Sequence, residues 1–286
     1  MVFRMHIPDG FLATPVWLAL DAVSLPAIGF AARRARKELE ESRIPLLGVM
    51  GAFVFAAQMV NFPVGAGTSG HLVGGALLAI TLGPAAAAVV MTAILSVQAF
   101  IFQDGGVLAL GANILNMAFA GVIVGYLPYH FWGRRRLAIF AGGAFSVLTS
   151  ALLAVAELLI SGVPVPRPML LASAGLFVVN AALEGAITAA VVQGIEALNP
   201  GFIRLPVAVR PRALAVVSLA AVLLATFGVL VASTHPDTLE RIVERLGGAT
   251  LSLSWLQKTA AGLGGLALIC CVCLLVGRFM ARQRSA

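Results

Sequence analysis

The sequence predicts an all-α polytopic membrane protein with about nine transmembrane helices: a seven-helix bundle followed by a two-helix C-terminal module. Three observations predict it. The 286 residues are 60% hydrophobic and only 11% charged, where soluble domains carry about 25% charged residues. The apolar residues come in long runs, and a helix of roughly 20 residues spans a hydrocarbon core of about 30 Å. The alternating segments of about ten residues that build a membrane barrel do not occur. Finally, the net charge of +7 is carried by short basic clusters between the apolar runs. That pattern encodes membrane orientation and gives no sign of nucleic-acid binding.

The runs are taken in order. Apolar spans are expected at 12–31, 46–60, 72–82, 85–103, 110–131, 137–161, 169–195, 213–232 and 257–279. The third is short and ends at Gly83-Pro84, a break in any helix. Basic clusters follow the first span (Arg33, Arg34, Arg36, Lys37, Arg43), the fifth (Arg134, Arg135, Arg136), the seventh (Arg204, Arg210, Arg212) and the ninth (Arg278, Arg282, Arg284). All follow odd-numbered spans, so nine crossings place every cluster on one face. The positive-inside rule makes that face cytoplasmic, with the N-terminus outside and the C-terminus inside. The loop 61–71, "NFPVGAGTSGH", then shares the outer face with Met5-His6. Residues 1–11 lack the ordered regions of a cleavable signal peptide, so the first helix is expected to stay. Composition shifts near 233, where "STHPDTLERIVERLGGATLSLSWL" (233–256) makes a long polar outer loop with an amphipathic piece, Leu239–Leu246. The expected division is 1–4 as extra N-terminal residues, 5–205 as the main membrane component and 206–286 as the two-helix module. Cys270, Cys271 and Cys273 spread around the last helix and read as lipid- or helix-facing residues.

The chemistry centres on "MHIPDGFL" at 5–12. If Met5 is the first residue, its α-amine, the His6 backbone nitrogen and the His6 imidazole chelate one metal in five- and six-membered rings. His71 ends the Gly-rich stretch 65–70, whose backbone freedom suits a loop dipping into the bundle. Its imidazole would complete four nitrogens in a plane, an arrangement suited to Ni(II) and Cu(II) and, less strongly, Co(II). Oxygen-seeking Ca²⁺ and Mg²⁺ fit poorly. Retention of Met1–Arg4 would turn the Met5 nitrogen into an amide and remove the chelate. The plainer reading is that both histidines are interfacial loop residues.

"MHIPDGFL" at 5–12, "NFPVGAGTSGHLVGG" at 61–75 and "NILNMAFAG" at 113–121 occur in the order found in the substrate-binding membrane component of cobalt/nickel energy-coupling-factor transporters, the CbiM/NikM family. The chain resembles that family over most of 5–200. The resemblance implies a seven-helix substrate-component fold with the N-terminus tucked into the bundle. It implies Ni²⁺ or Co²⁺ as transported substrate, held by Met5, His6 and His71. It implies as partners a transmembrane coupling subunit and a pair of cytosolic ATPases, in the cytoplasmic membrane of a bacterium or archaeon. "PDTLE" at 236–240 is similar to the Pro-Asp-Gly-Leu-Glu signature of the small two-helix auxiliary subunit (CbiN/NikN) of these systems, with Thr238 in place of the glycine. The "IPDG" after Met-His leans toward nickel, as does planar nitrogen ligation.

Asp9 and Thr68 are expected to fix the two histidine-bearing segments, although Asp9 also suits a plain Pro-Asp-Gly turn. Asn61, Gln98, Gln103, Asp104, Asn113 and Asn116 gather at the outer ends of spans two, four and five. They are expected to line the ion's access or bind the dipping loop, with interhelical hydrogen bonding as the plainer role. Asp21, Glu157 and Glu184 lie inside apolar spans, where acids are costly. They are harder donors than the nitrogen set and are not expected as ligands. His130 suits a cytoplasmic interfacial belt, and His235 a solvated loop. Small residues Ala27 and Ala31 would allow close packing against a coupling subunit. The sequence contains no GxxxxGK[ST] loop, so energy would come from other subunits. Two other readings stay open: a membrane-embedded metalloenzyme, which needs an open coordination position and a base, and a secondary metal transporter working without ATPases.

Overall fold

A computed structural model describes residues 6–65, 68–200, 210–228, 232 and 255–285. Among them nine helices appear where apolar spans are expected. They are α1 (Thr14–Glu38), α2 (Ile44–Gln58), α3 (Gly75–Leu82), α4 (Pro84–Phe102), α5 (Leu110–Trp132), α6 (Arg136–Ile160), α7 (Arg167–Leu198), α8 (Pro211–Gly228) and α9 (Trp255–Ser285). Helices α1, α2, α4, α7 and α8 carry a proline in their first turn, where the missing N–H costs nothing and the fixed φ suits the helix.

Seven of these helices are long and apolar enough to cross a membrane alone. The third span departs from a simple crossing. Helix α3 has eight residues and rises about 12 Å, less than half of a bilayer core. All eight are buried. Gly83, with φ 87°, ends α3 and starts α4; only glycine takes this backbone without strain. Ahead of α3 the dipping loop contains two short strands that the sequence does not reveal, β1 (Phe62–Gly65) and β2 (Thr68–Gly70). They pair antiparallel, Phe62 opposite Gly70 and Pro63 opposite Ser69, with an irregularity before Gly65–Thr68. Pairing satisfies backbone groups that would otherwise be costly inside a bundle.

Helices α2, α3 and α4 form the centre, with Met50, Phe55, Leu77, Leu78, Met91 and Ile94 in one core. Helices α8 and α9 pack on α2. Gly48 and Gly51 of α2 lie against Leu274 and Cys273, so Cys273 is a packing residue. Val217 and Ala221 of α8 and Ile269 and Cys273 of α9 join the same core. Helix α1 is peripheral, with Leu18, Leu25 and Phe30 exposed. Its Ala31 is buried against the chain's own helices, which removes it from any surface offered to a partner.

The basic ends lie together. Arg36 of α1 donates to Gln283 of α9 at 2.7 Å. Arg43 donates to the Thr81 carbonyl at the end of α3 at 3.3 Å. Arg134, between α5 and α6, pairs with Glu196 near the end of α7 at 2.8 Å. His6 lies before the opposite end of α1, whose 25 residues span about 37 Å.

Candidate metal centre

The N-terminal segment is held by its backbone. Asn113, in the first turn of α5, accepts from the Ile7 N–H at 2.9 Å and donates its amide to the Ile7 carbonyl at 3.1 Å. Gly106 N–H donates to the same carbonyl at 2.9 Å. Asp9 accepts from Val107 and Leu108 N–H groups at 3.1 and 2.8 Å, so its carboxylate docks the turn onto loop 103–109. The Ile7 side chain is buried with Leu12, Ala109, Ala112, Ala154 and Leu158, a contact worth about 1.5–3 kcal/mol if it leaves water.

These clamps carry His6 inward to 2% exposure. Its Nδ1 meets Asp104 Oδ1 at 3.2 Å, while Nε2 is buried and has no hydrogen-bond partner among the described residues. Helix α4 ends just before Asp104, where Gln103 turns left-handed at φ 53°. Gly105 follows at φ 96°, and a Cβ there would sit 2.7 Å from the His6 Cβ.

The second histidine is fixed with equal redundancy. His71 is 1% exposed and its Nδ1 faces the Leu72 carbonyl at 2.8 Å, which makes Nδ1 the protonated nitrogen and leaves Nε2 with its lone pair. Burial pushes the His71 pKa down to about 4, against the raising effect of the Leu72 bond. The ring is therefore neutral at ordinary pH. The next two residues are clamped from both sides. Glu184 of α7, fully buried, accepts from Val73 and Gly74 N–H groups, each at 2.8 Å. Gln58 of α2 donates to the Val73 carbonyl at 2.8 Å, and Gln98 of α4 donates to Gln58 at 2.9 Å.

The two imidazoles therefore converge, with ring centroids 6.3 Å apart and planes at 43°. An imidazole nitrogen binds a metal at about 2.0–2.1 Å, which puts each centroid about 3.2 Å from the ion, so two rings in line with one ion have centroids about 6.4 Å apart, close to the separation here. Among the described residues no three His, Cys, Asp or Glu side chains gather into a metal cluster. A closed site needs further donors that are not such side chains.

The remaining expected residues distribute as follows. Met5 lies outside the described residues, as do His235, "PDTLE" and nearly all of the loop 233–256. Thr68 pairs with Gly65 through its backbone position in β2. Asn61 is buried, and its Oδ1 has no hydrogen-bond partner among the described residues. Gln98 connects to the His71 loop through Gln58, to which it donates at 2.9 Å. Asn116 donates to Glu157 at 2.8 Å. Asp21 accepts from Gly111 N–H at 2.7 Å and so caps the first turn of α5. His130, exposed at the basic end, stacks near Tyr126 and Phe131. Sequence reasoning missed the Glu184 clamp, and Asp104 was visible only as one polar residue among several.

The sequence pattern described as "Cobalt uptake substrate-specific transmembrane region" matches residues 6–202. The chain belongs to this family, CbiM. A CbiM-family relationship also runs through individual proteins. A protein of Haloquadratum walsbyi named for metal transport is 40% identical over 208 residues, covering 70% of this chain and 93% of that one. The fused nickel transport protein NikMN of Rhodobacter capsulatus is 33% identical over 218 residues, covering 68% of this chain and 63% of that protein. The crystal structure of a truncated transition metal transporter superposes with a TM-score of 0.60 at 32% identity, covering 68% of this chain and 99% of that one. This CbiM-family chain is thus a multi-pass helical membrane protein with a paired-histidine centre.

Proposed function

We propose that the chain captures Ni²⁺ or Co²⁺ from the outer side of the cytoplasmic membrane and passes it inward, as the substrate-binding component of an energy-coupling-factor transporter. The observation that carries this reading is the convergence of His6 and His71, both buried, at the end of α1 away from its basic last turn. With the basic ends in the cytoplasm, this centre faces outward. Two imidazoles and the backbone and terminal nitrogens of Met5-His6 make four nitrogen donors. Such a set satisfies the ion fully and leaves no open position for catalysis, which favours carriage. Planar nitrogen ligation favours nickel over cobalt.

The chain's relatives include nickel and cobalt transport proteins, which supports the same reading. The sequence has no phosphate-binding GxxxxGK[ST] loop, so a coupling subunit and an ATPase pair would supply the energy. Residues 206–286 would act as the auxiliary two-helix module. Thr68, Asn61, Gln98 and Asp9 support the ligand-bearing segments. N-terminal sequencing of the mature protein, combined with metal analysis, tests the proposal. A chain starting at Met5 is expected to hold one ion, and the same chain carrying Met1–Arg4 is expected to hold none. Equal metal content in both forms would remove the terminal chelate.

A further inference from the structure

The cleft between the last turns of α9 and the start of α2, at the basic end of the molecule, measures about 380 Å³, within the range of about 300–1,000 Å³ found for small-ligand sites. Leu274, Arg278, Ala281 and Arg282 of α9 form one wall, and this spacing puts them on one face of the helix. Ile44 and Pro45 of α2 form the other, with Glu41 in the turn before it. Gly277 lets the two helices meet here, since a Cβ on it would lie 3.0 Å from Ile44 Cγ2. The lining is apolar at Leu274, Ile44 and Ala281 and cationic at the two exposed arginines. Beside it on α9, Leu275 and Phe279 are 64% and 60% exposed, as residues that face lipid would be. The charge is unspent. Arg36 and Arg43, from the adjoining segments, bond within the chain, to Gln283 and to the Thr81 carbonyl. Among the described residues, Arg278 and Arg282 have no ion pair, with Glu41 or with any other carboxylate. Like charges four residues apart on a helix repel each other.

We propose that this cleft binds one anionic phospholipid from the leaflet at the basic end, its phosphodiester held by Arg278 and Arg282 and its glycerol headgroup facing Glu41. The site is independent of the metal centre. Position supports it first. Helix α9 is apolar enough to cross a membrane over Thr259–Gln283, so the two arginines lie where a spanning helix meets the headgroups. Basic pockets between helices at this boundary suit anionic headgroups. Donor chemistry supports it next, because the guanidinium fork offers paired N–H donors that match phosphate oxygens. Charge then narrows the choice. Two guanidiniums and one carboxylate leave the lining with one positive charge, which a single phosphodiester neutralises. A zwitterionic lipid would leave it uncompensated. Glu41 narrows it further: a carboxylate only accepts hydrogen bonds, so it favours a headgroup with hydroxyl donors, as in phosphatidylglycerol. The apolar part of the lining, with Leu275 and Phe279 beside it, gives acyl chains a surface that a water-soluble phosphate would not use. Held there, the lipid joins α9 to the start of α2.

Native mass spectrometry of the full chain in mild detergent, titrated with phosphatidylglycerol or phosphatidylcholine, counts bound lipid. Expected is one phosphatidylglycerol held at least about tenfold more tightly than phosphatidylcholine. The double variant Arg278→Gln, Arg282→Gln is expected to abolish that difference. The double variant Arg135→Gln, Arg136→Gln removes the same charge from the same end, outside the cleft, and is expected to keep it. Equal losses in the two would reduce the binding to general attraction for an anionic lipid and overturn the site. Phosphatidylmethanol, anionic but without hydroxyls, is expected to bind the parent more weakly than phosphatidylglycerol and to bind Glu41→Ala equally well. Equal binding of both lipids by the parent would overturn the role given to Glu41. Inorganic phosphate is expected to leave the lipid in place, and displacement would make the cleft a site for a soluble anion instead. If the arginine double variant fails to reach the membrane, the two single variants decide, and parent-like binding in both would overturn the proposal. In the complete transporter, a parent complex without lipid whose arginine variant loses the coupling subunit would assign the cleft to a subunit contact and overturn the lipid.

Discussion

Asn113 grips the backbone of Ile7 at both its N–H and its carbonyl, at 2.9 and 3.1 Å, one residue from the first histidine. An asparagine amide presents one acceptor and one donor edge, so it completes the Ile7 peptide as a neighbouring strand would. The geometry sets where the His6 backbone nitrogen lies. Asn113→Asp keeps the shape but sets a carboxylate oxygen against the Ile7 carbonyl. The expected outcome is a loss of nickel affinity of about 10–100-fold, typical for a group that orients a metal ligand, with helix content unchanged. Isothermal titration alongside circular dichroism measures both. Parent-like affinity would show that the segment is held elsewhere.

Glu184 plays the matching role for the second histidine. Both of its oxygens receive backbone N–H groups, from Val73 and Gly74, and Gly74 has a left-handed φ of 80°. Glu184→Gln turns one acceptor into an NH₂ that faces an N–H donor. Leaving that buried group unpaired costs about 1–3 kcal/mol, and the His71 loop would absorb it. Expected are a lower melting temperature and weaker metal binding, so that nickel at one concentration stabilises the variant less than the parent and widens the gap between their melting temperatures. A thermal melt with and without nickel reads this. A destabilisation that nickel leaves unchanged would separate Glu184 from the site.

The two halves of the site differ in how far the sequence reveals them. His6 and His71 could be paired because each sits in a turn-rich stretch and the basic clusters place both on one face. Asp9 and Asn113 were legible as polar residues near helix ends, but their partners are backbone amides, which carry no sequence signature. The same holds more strongly for Glu184 and Asp21, which accept from the amides of Val73, Gly74 and Gly111. An intramembrane acid reads as a functional group by default. Here both are spent on holding loops and helix ends. The shortness of α3 was visible at Gly83-Pro84, whereas the β1–β2 pairing was hidden because glycine-rich segments have weak strand preference.

Metal capture should release protons in a defined number. A terminal amine of pKa about 7.7–8.0 is mostly protonated at pH 7, and the chelate also deprotonates one backbone amide. His71 adds none, because burial keeps its pKa near 4 and it is already neutral at that pH. The sign follows: lowering the pH opposes binding through the amine and amide, and through His71 only as the pH approaches 4. About two protons per ion are expected at pH 7. Calorimetry in buffers of different ionisation enthalpy counts them. A count of one or fewer would exclude ligation by the backbone nitrogen.

The present spacing of the imidazoles sets a final expectation. In the square plane proposed here, the amine and the His6 imidazole lie opposite each other and His71 lies next to the His6 ring. Adjacent imidazoles at about 3.2 Å from a common ion have centroids about 4.5 Å apart, and the two rings here stand 6.3 Å apart. The six-membered chelate ring also uses Nδ1, the atom that now faces Asp104. Capture would therefore turn the His6 ring off Asp104 and draw the two rings together by roughly 2 Å, a range open to small adjustments of loop 103–109. Copper(II) serves as a spectroscopic stand-in for nickel in such a plane. Nitrogen couplings in its electron paramagnetic resonance spectrum are expected to count four nitrogens, falling to three in His71→Ala. An unchanged count in that variant would place His71 outside the coordination plane and leave the N-terminal chelate to act without it.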